Sequence, residues 1–207
     1  LSLLQDNGRL GQSALGLTNG GPMDAPSAAW ANRLLGNHSN ATLIECSVGG
    51  LQLRAETHSY IAVTGAILPV SINGKAVEQW TVHQVQPGDL IELGMVSKGL
   101  RVYVAVAGGF NIAPQFGSTA TVLREGIGGL NGNKLQAGDK LGAQTVNKVQ
   151  RQRLPARYRP QQWTAKDCAA APPEPTSTQA IRLPRPGPGW PRHTADRGPP
   201  ERTFRTV

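Results

Sequence analysis

Residues 19–37, Asn-Gly-Gly-Pro-Met-Asp-Ala-Pro-Ser-Ala-Ala-Trp-Ala-Asn-Arg-Leu-Leu-Gly-Asn, carry the one clear helix signal in a chain that otherwise reads as strands. Gly20 and Gly21 supply the backbone freedom of a tight turn. Asp24 is placed to cap a helix, with its carboxylate at the positive end of the dipole. Pro26 then falls in the first turn, where a missing N–H costs nothing. Ala28, Ala31, Leu34 and Leu35 share one face, and Gly36 is the stop. The spacing predicts a short helix between a glycine turn and a glycine cap.

After the helix comes a run of short strands with turn punctuation. Thr42–Cys46 is apolar and β-branched. Gly50–Ala55 alternates apolar and polar, the mark of a half-buried strand. Tyr60–Thr64 reads as a strand stopped by Gly65. Val70–Ile72 and Lys75–Val77 flank Asn73-Gly74, the favoured type I′ hairpin turn. Trp80–Val85, Leu90–Leu93 and Arg101–Val106 continue the series, with weaker signals at Thr119–Leu123 and Leu141–Val146. Val85–Gly94 resembles Leu135–Gly142, each with a Gly-Asp turn feeding a strand and an Asp able to bond its own backbone two residues on, which reads as recurrent turn chemistry. Strand density and glycine spacing predict a mainly β, closed or sandwich-like architecture.

Composition divides the chain. Residues 1–150 hold 10 Lys and Arg against 9 Asp and Glu, whereas residues 151–207 hold 11 against 4 and include 11 of the 16 prolines. Nearly all of the net charge of +8 therefore belongs to the last quarter, and the folded part is close to neutral. That distribution argues against nucleic-acid binding. Beyond Thr164 the large apolar residues are few: Ile181, Leu183, Trp190, Phe204 and Val207. Burying so few side chains does not offset an ordering entropy of roughly 1–2 kcal/mol per residue, so residues 164–207 are predicted to form a disordered Pro/Arg-rich tail. The domain proper is expected over 1–163. The sequence shows no signal peptide and no apolar run long enough to span a bilayer, so a cytoplasmic protein without membrane contact is expected. Cys46 reads as a small buried residue, and no Cys/His spacing suggests a metal.

Few residues carry chemistry. Asp24 is either only the helix cap or a functional carboxylate beside the Gly20-Gly21 turn, whose N–H groups can receive an anion or oxyanion. Asn32 and Asn37 offer side-chain donors, and Thr64 and Gly65 offer strand-end backbone N–H groups. There is no Walker A motif, and Gly126–Gly132 places its last glycine one position late for a dinucleotide loop. Ser118 lacks a nucleophile-elbow context, and no Ser/His/Asp set can be assembled from spacing.

Gly20-Gly21-Pro22-Met23-Asp24, followed by Ala31-Asn32-Arg33-Leu34-Leu35-Gly36-Asn37, resembles the signature of the biotin-dependent carboxyltransferase-like family. That family includes the C subunit of 5-oxoprolinase, allophanate hydrolase subunit 2 and half of the urea carboxylase carboxyltransferase domain. Leu4–Arg9 is similar to its opening motif. Ala62–Ala66, Ile72–Gly74, Pro87–Asp89, Arg101–Gly109, Phe116–Ser118, Gly128-Gly129 and Ala137–Asp139 follow in order. The ordered set over residues 1 to 160 is specific where no single tripeptide is. The resemblance implies a cyclophilin-like β-barrel with one short helix near its start, incomplete because family members run to about twice a single domain.

It also implies a subunit of an ATP-dependent amide-hydrolysing complex, above all 5-oxoprolinase, which opens 5-oxoproline to glutamate with companion subunits. On that reading Asp24 and Asn32 are the catalytic candidates, and Gly20, Gly21, Asn37, Thr64 and Gly65 bind a small-molecule amide. ATP is then a cofactor of the complex, with no motif for it here. The alternatives are carboxyl transfer from carboxybiotin to a urea-like substrate, with biotin as cofactor, and a non-catalytic antagonist of a histidine-kinase inhibitor. Leu1 falls close to the opening motif, so the natural start is expected upstream. The quoted motifs stop near Arg159-Pro160, and an Arg/Pro-rich continuation is what a shifted reading frame in GC-rich DNA encodes. A fragment of this kind is expected to be inactive alone, and unstable through exposed strand edges.

Overall fold

Asn73 and Gly74 both take positive φ, 52° and 73°, the geometry of a type I′ turn. They join strands β5 (Val70–Ile72) and β6 (Lys75–Val77) in the register that the sequence predicts, with Ile72 opposite Lys75. In the computed structural model the described residues are 1–144, 146, 149, 150, 152–162 and 202–207. The remaining strands are β1 (Ser2–Gln5), β2 (Leu43–Ser47), β3 (Gln52–Ala55), β4 (Ser59–Ile67), β7 (Val82–Val85), β8 (Leu90–Leu93), β9 (Lys98–Val106), β10 (Lys140–Ala143) and β11 (Arg202–Thr206), with one α-helix, α1 (Ala25–Leu34). They form two antiparallel sheets, ordered β1-β2-β9-β4-β7 and β10-β11-β3-β8-β5-β6. Among the described residues the fold is mainly β with a single α-helix near the start, as predicted.

Alternation decides the packing. Val102, Val104 and Val106 of β9 point with Ile61 and Val63 of β4 into the core shared with the second sheet, where Leu53, Ile91, Leu141 and Phe204 meet them. Tyr103, Ala105 and Ala107 point the other way, with Leu43, Ala62 and Val82, and α1 covers them with Ala28, Ala31, Leu34 and Leu35. The central strands of the first sheet are therefore buried on both faces, which is why Val102–Val106 reads as an almost unbroken apolar run. β3 alternates exposed and buried because only one of its faces meets the core. Cys46 is fully buried.

The two Gly-Asp turns use the same bond, and it differs from the expected one. Asp89 Oδ2 accepts from the backbone N–H of Gln86 at 2.7 Å, and Asp139 Oδ2 from that of Gln136 at 2.8 Å. The carboxylate reaches three residues back rather than two on.

Three expectations are corrected. Gly65 does not stop its strand: β4 runs to Ile67 through a register shift between Gly65 and Ile67. At φ 96° Gly65 lies so close to β9 that a Cβ there would sit 2.4 Å from the Arg101 carbonyl oxygen, so it is a bulge rather than an end. Thr119–Leu123 is not a strand. It is tied to the N-terminal segment by isolated contacts, such as the Thr121 N–H and hydroxyl, which both donate to the Leu4 carbonyl at 2.9 and 3.0 Å. Finally, Arg202–Thr206 is not disordered. It forms β11 between β10 and β3, with Leu141 opposite Phe204 and Phe204 opposite Ala55. One well-placed aromatic supplies the burial that the composition of the tail as a whole does not. The rest of the predicted tail, 164–201, lies outside the described residues. Among the described residues, no helix is long and apolar enough to cross a membrane.

Candidate functional site at the start of the helix

Asp24 caps α1 as its position predicts. Oδ1 accepts the Ser27 N–H at 3.1 Å, and Oδ2 accepts the Ser27 hydroxyl at 2.6 Å. Pro26 sits in the first turn. The loop leading into the helix is fixed from beneath by the first sheet. Glu45 and Tyr103 are opposite one another in the β2–β9 register, and Ser47 is opposite Arg101. Tyr103 donates its hydroxyl to Glu45 Oε2 at 2.8 Å and accepts the Asp24 N–H at 2.6 Å. Glu45 Oε2 also accepts the Met23 N–H at 2.8 Å, and Arg101 Nε lies 3.4 Å from Oε1. Burial first, then the charge of Glu45, drives the Tyr103 phenol well above its ordinary value of 10.0. It therefore remains a neutral donor.

Above this network opens a cavity of about 430 Å³, lined by Met23, Asp24, Pro26, Gly99, Leu100 and Arg101, with Pro160–Gln162 along one wall. Gln162 donates its amide to Asp24 Oδ2 at 3.2 Å. A carboxylate, a guanidinium and a carboxamide thus border one small space, offering both acceptors and donors to a ligand. Met23 and Leu100 are exposed at its rim.

The expected residues divide between places. Thr64 lies under the helix start, its hydroxyl donating to the Ser27 carbonyl at 2.7 Å, and Gly65 packs against Arg101. These two join Asp24. Asn32 and Asn37 do not. Asn32 is about 12 Å further along the helix, donating to the Ala41 carbonyl at 2.8 Å. Asn37 donates to Asn32 Oδ1 and the Val106 carbonyl and accepts the Gly108 N–H. The pair ties the end of α1 to the end of β9. Gly21 gives its N–H to Gln5 Oε1 at 3.1 Å. A Cβ on Gly20 would crowd Ala120 and Val122. Both glycines face the N-terminal segment instead of the cavity.

That segment forms a second polar cluster. Asp6 accepts the Gly8 N–H, the Ser118 hydroxyl and the Thr119 N–H. Arg9, 1% exposed, donates to the Ala120 carbonyl at 2.6 Å. The cluster splices residues 5–9 to residues 118–121. No group of three or more His, Cys, Asp or Glu is arranged to hold a metal among the described residues. Glu45, Arg101 and Tyr103 were not singled out from the sequence. Their signal is a charged or hydroxylated side chain inside an otherwise apolar strand that is buried on both faces.

Residues 15–193 match the family described as carboxyltransferase domain, subdomain A and B. The chain belongs to this family. This carboxyltransferase-domain chain is 39% identical over 140 residues to the 5-oxoprolinase C subunit of Escherichia coli (strain K12), covering 67% of the chain and 44% of that relative. It is 40% identical over 134 residues to urea amidolyase of Lachancea kluyveri, covering 65% of the chain and 7% of that relative. The crystal structure of Kluyveromyces lactis urea carboxylase matches 79% of the chain and 15% of its own length at 30% identity, with a TM-score of 0.73. The chain thus spans less than half the length of these relatives, and the family match runs past Pro160, where the motifs end.

Proposed function

We propose that the chain belongs to a subunit of an ATP-dependent amide-hydrolysing complex, 5-oxoprolinase, opening 5-oxoproline to glutamate. The observation that carries this reading is the cavity at the start of α1, where Asp24, Arg101 and Gln162 surround a space suited to a small ring amide. The likeness to the 5-oxoprolinase C subunit supports it. In the overall reaction water adds to the lactam carbonyl, the C–N bond breaks, and the ring nitrogen leaves as an amine after taking a proton. ATP is consumed to ADP and phosphate. Asp24 is placed to accept from the lactam N–H and to orient the ring. Thr64 and Gly65 position the helix start and Arg101, while Asn32, Asn37, Gly20 and Gly21 hold the surrounding frame. Companion subunits would supply the nucleotide site. Residues 1–163 would form the family unit, and residues 164–207 would be the product of a shifted frame.

Likeness to urea amidolyase and urea carboxylase favours one other reading, carboxyl transfer from carboxybiotin to a urea-like amide in the same cavity. The two separate on one assay of the chain with its companion subunits. ATP- and 5-oxoproline-dependent glutamate supports the first reading. No glutamate, with carboxybiotin consumed in the presence of urea, replaces it with the second. Translating every frame of the gene beyond Trp163 tests the frame: a family-like continuation in another frame supports it, and none removes it.

A further inference from the structure

The guanidinium of Arg101 is held from one side only. Its buried Nε lies 3.4 Å from Glu45 Oε1 without hydrogen-bond geometry. Glu45 already takes the Met23 N–H and the Tyr103 hydroxyl, so its charge is shared among several donors. The Arg101 side chain keeps 23% exposure and lines the cavity. Among the described residues neither Nη nitrogen has an acceptor. A planar fork with its inner edge anchored and its outer edge free is suited to bidentate carboxylate binding.

The other polar group of the cavity faces a different task. Asp24 is an acceptor whose oxygens lie on the helix side, toward Ser27 and Gln162. It repels an anion and receives an N–H. The cavity therefore presents an anion-binding edge and an N–H-accepting edge at separate places. A neutral diamide uses only the second. Leu100, Met23 and Pro26 supply apolar wall for a short aliphatic ring.

We propose that Arg101 is the specificity-determining residue of this cavity, its free Nη edge binding the carboxylate of a carboxylate-bearing lactam while Asp24 accepts from the lactam N–H. This rests on the reading of the cavity as the substrate site. The guanidinium then selects such a ligand over urea and over lactams without a carboxylate.

Calorimetric binding to the full chain assembled with its companion subunits tests it, with 5-oxoproline and 2-pyrrolidinone, the same ring without its carboxylate, as probes. Arg101→Gln is expected to weaken 5-oxoproline by about tenfold or more, the loss of charged hydrogen bonds, and to leave 2-pyrrolidinone unchanged. Arg101→Lys is expected to fall between. If Arg101→Gln fails to assemble, Leu100→Asp at the exposed rim decides: it should weaken 5-oxoproline selectively. Equal effects on both probes, no effect on either, or no binding of 5-oxoproline to the unsubstituted complex would overturn the inference. Selective binding without ATP-dependent glutamate would instead sink the 5-oxoprolinase reading and leave the role of Arg101 standing.

Discussion

Glu45 and Tyr103 face each other across the β2–β9 pairing, and the phenol bridges the carboxylate to the Asp24 N–H. A cross-strand pair thereby sets the height of the helix start above the sheet. Tyr103→Phe keeps the ring and removes the bridge. It leaves the Asp24 N–H without its partner, at a cost of about 1–3 kcal/mol. Urea denaturation should show a lower midpoint with an unchanged slope.

The same phenol predicts an alkaline signature. Its proton is held more tightly in the folded chain than in the unfolded one, through burial and then Glu45. The stability it contributes is complete below the unfolded value near 10.0 and declines as pH rises toward the higher folded value. Above pH 10 the unsubstituted chain should lose stability faster than Tyr103→Phe. Parallel pH profiles would refute the linkage.

Asp24 can be probed without losing the helix. Asparagine caps about as well as aspartate, whereas Asp24→Ala should cost about 0.5–2 kcal/mol. Asp24→Asn is therefore expected to melt close to the unsubstituted chain and, in the assembled complex, to lose most glutamate formation. Full activity in Asp24→Asn would confine the residue to its capping role.

Two glycines with positive φ should respond differently. Gly74 is open to solvent around its missing Cβ, so Gly74→Ala pays only for the backbone, about 1–2 kcal/mol. Gly65→Ala adds a clash with the Arg101 carbonyl oxygen at 2.4 Å. It should be clearly the more damaging in thermal melts and should shift Arg101 out of register with the cavity.

Phe204→Ala tests whether β11 belongs to the core. The ring is fully buried and meets Phe110 edge-on with centroids 6.0 Å apart, so truncation should cost about 3–5 kcal/mol. An unchanged melting temperature would mean that the strand is dispensable.

Local chemistry was legible in the sequence. The Asp24 cap, the Asn73-Gly74 turn and the alternation of β3 each depend on a few neighbouring residues, and each appears where the sequence places it. Features that depend on distant partners were not legible. Thr119–Leu123 has strand composition, but its bonds scatter among Leu4, Asp6, Arg9 and a lone bridge between Val122 and Ile127, and never form a ladder. Phe204 sits in a stretch whose average composition hides the one residue that finds a slot. At the site, Asp24 was visible because capping has a signature. Arg101 and Glu45 were not, because within a strand a charge is informative only once the burial of both faces is known. Asn32 was drawn in by its place in the helix signature, and the three-dimensional placement assigns it to the far end.

The position of β11 has a consequence for how the chain acquires its structure. Thr203 bonds Thr57 across a separation of 146 residues, and β11 lies between two strands made long before it. On the ribosome β3 and β10 must wait, unbridged, until residues 202–206 have emerged. High sequence separation slows the search and prolongs exposure of open edges. The rate at which this protein reaches its native state, and its dependence on chaperones, should therefore be governed by the arrival of a single five-residue segment.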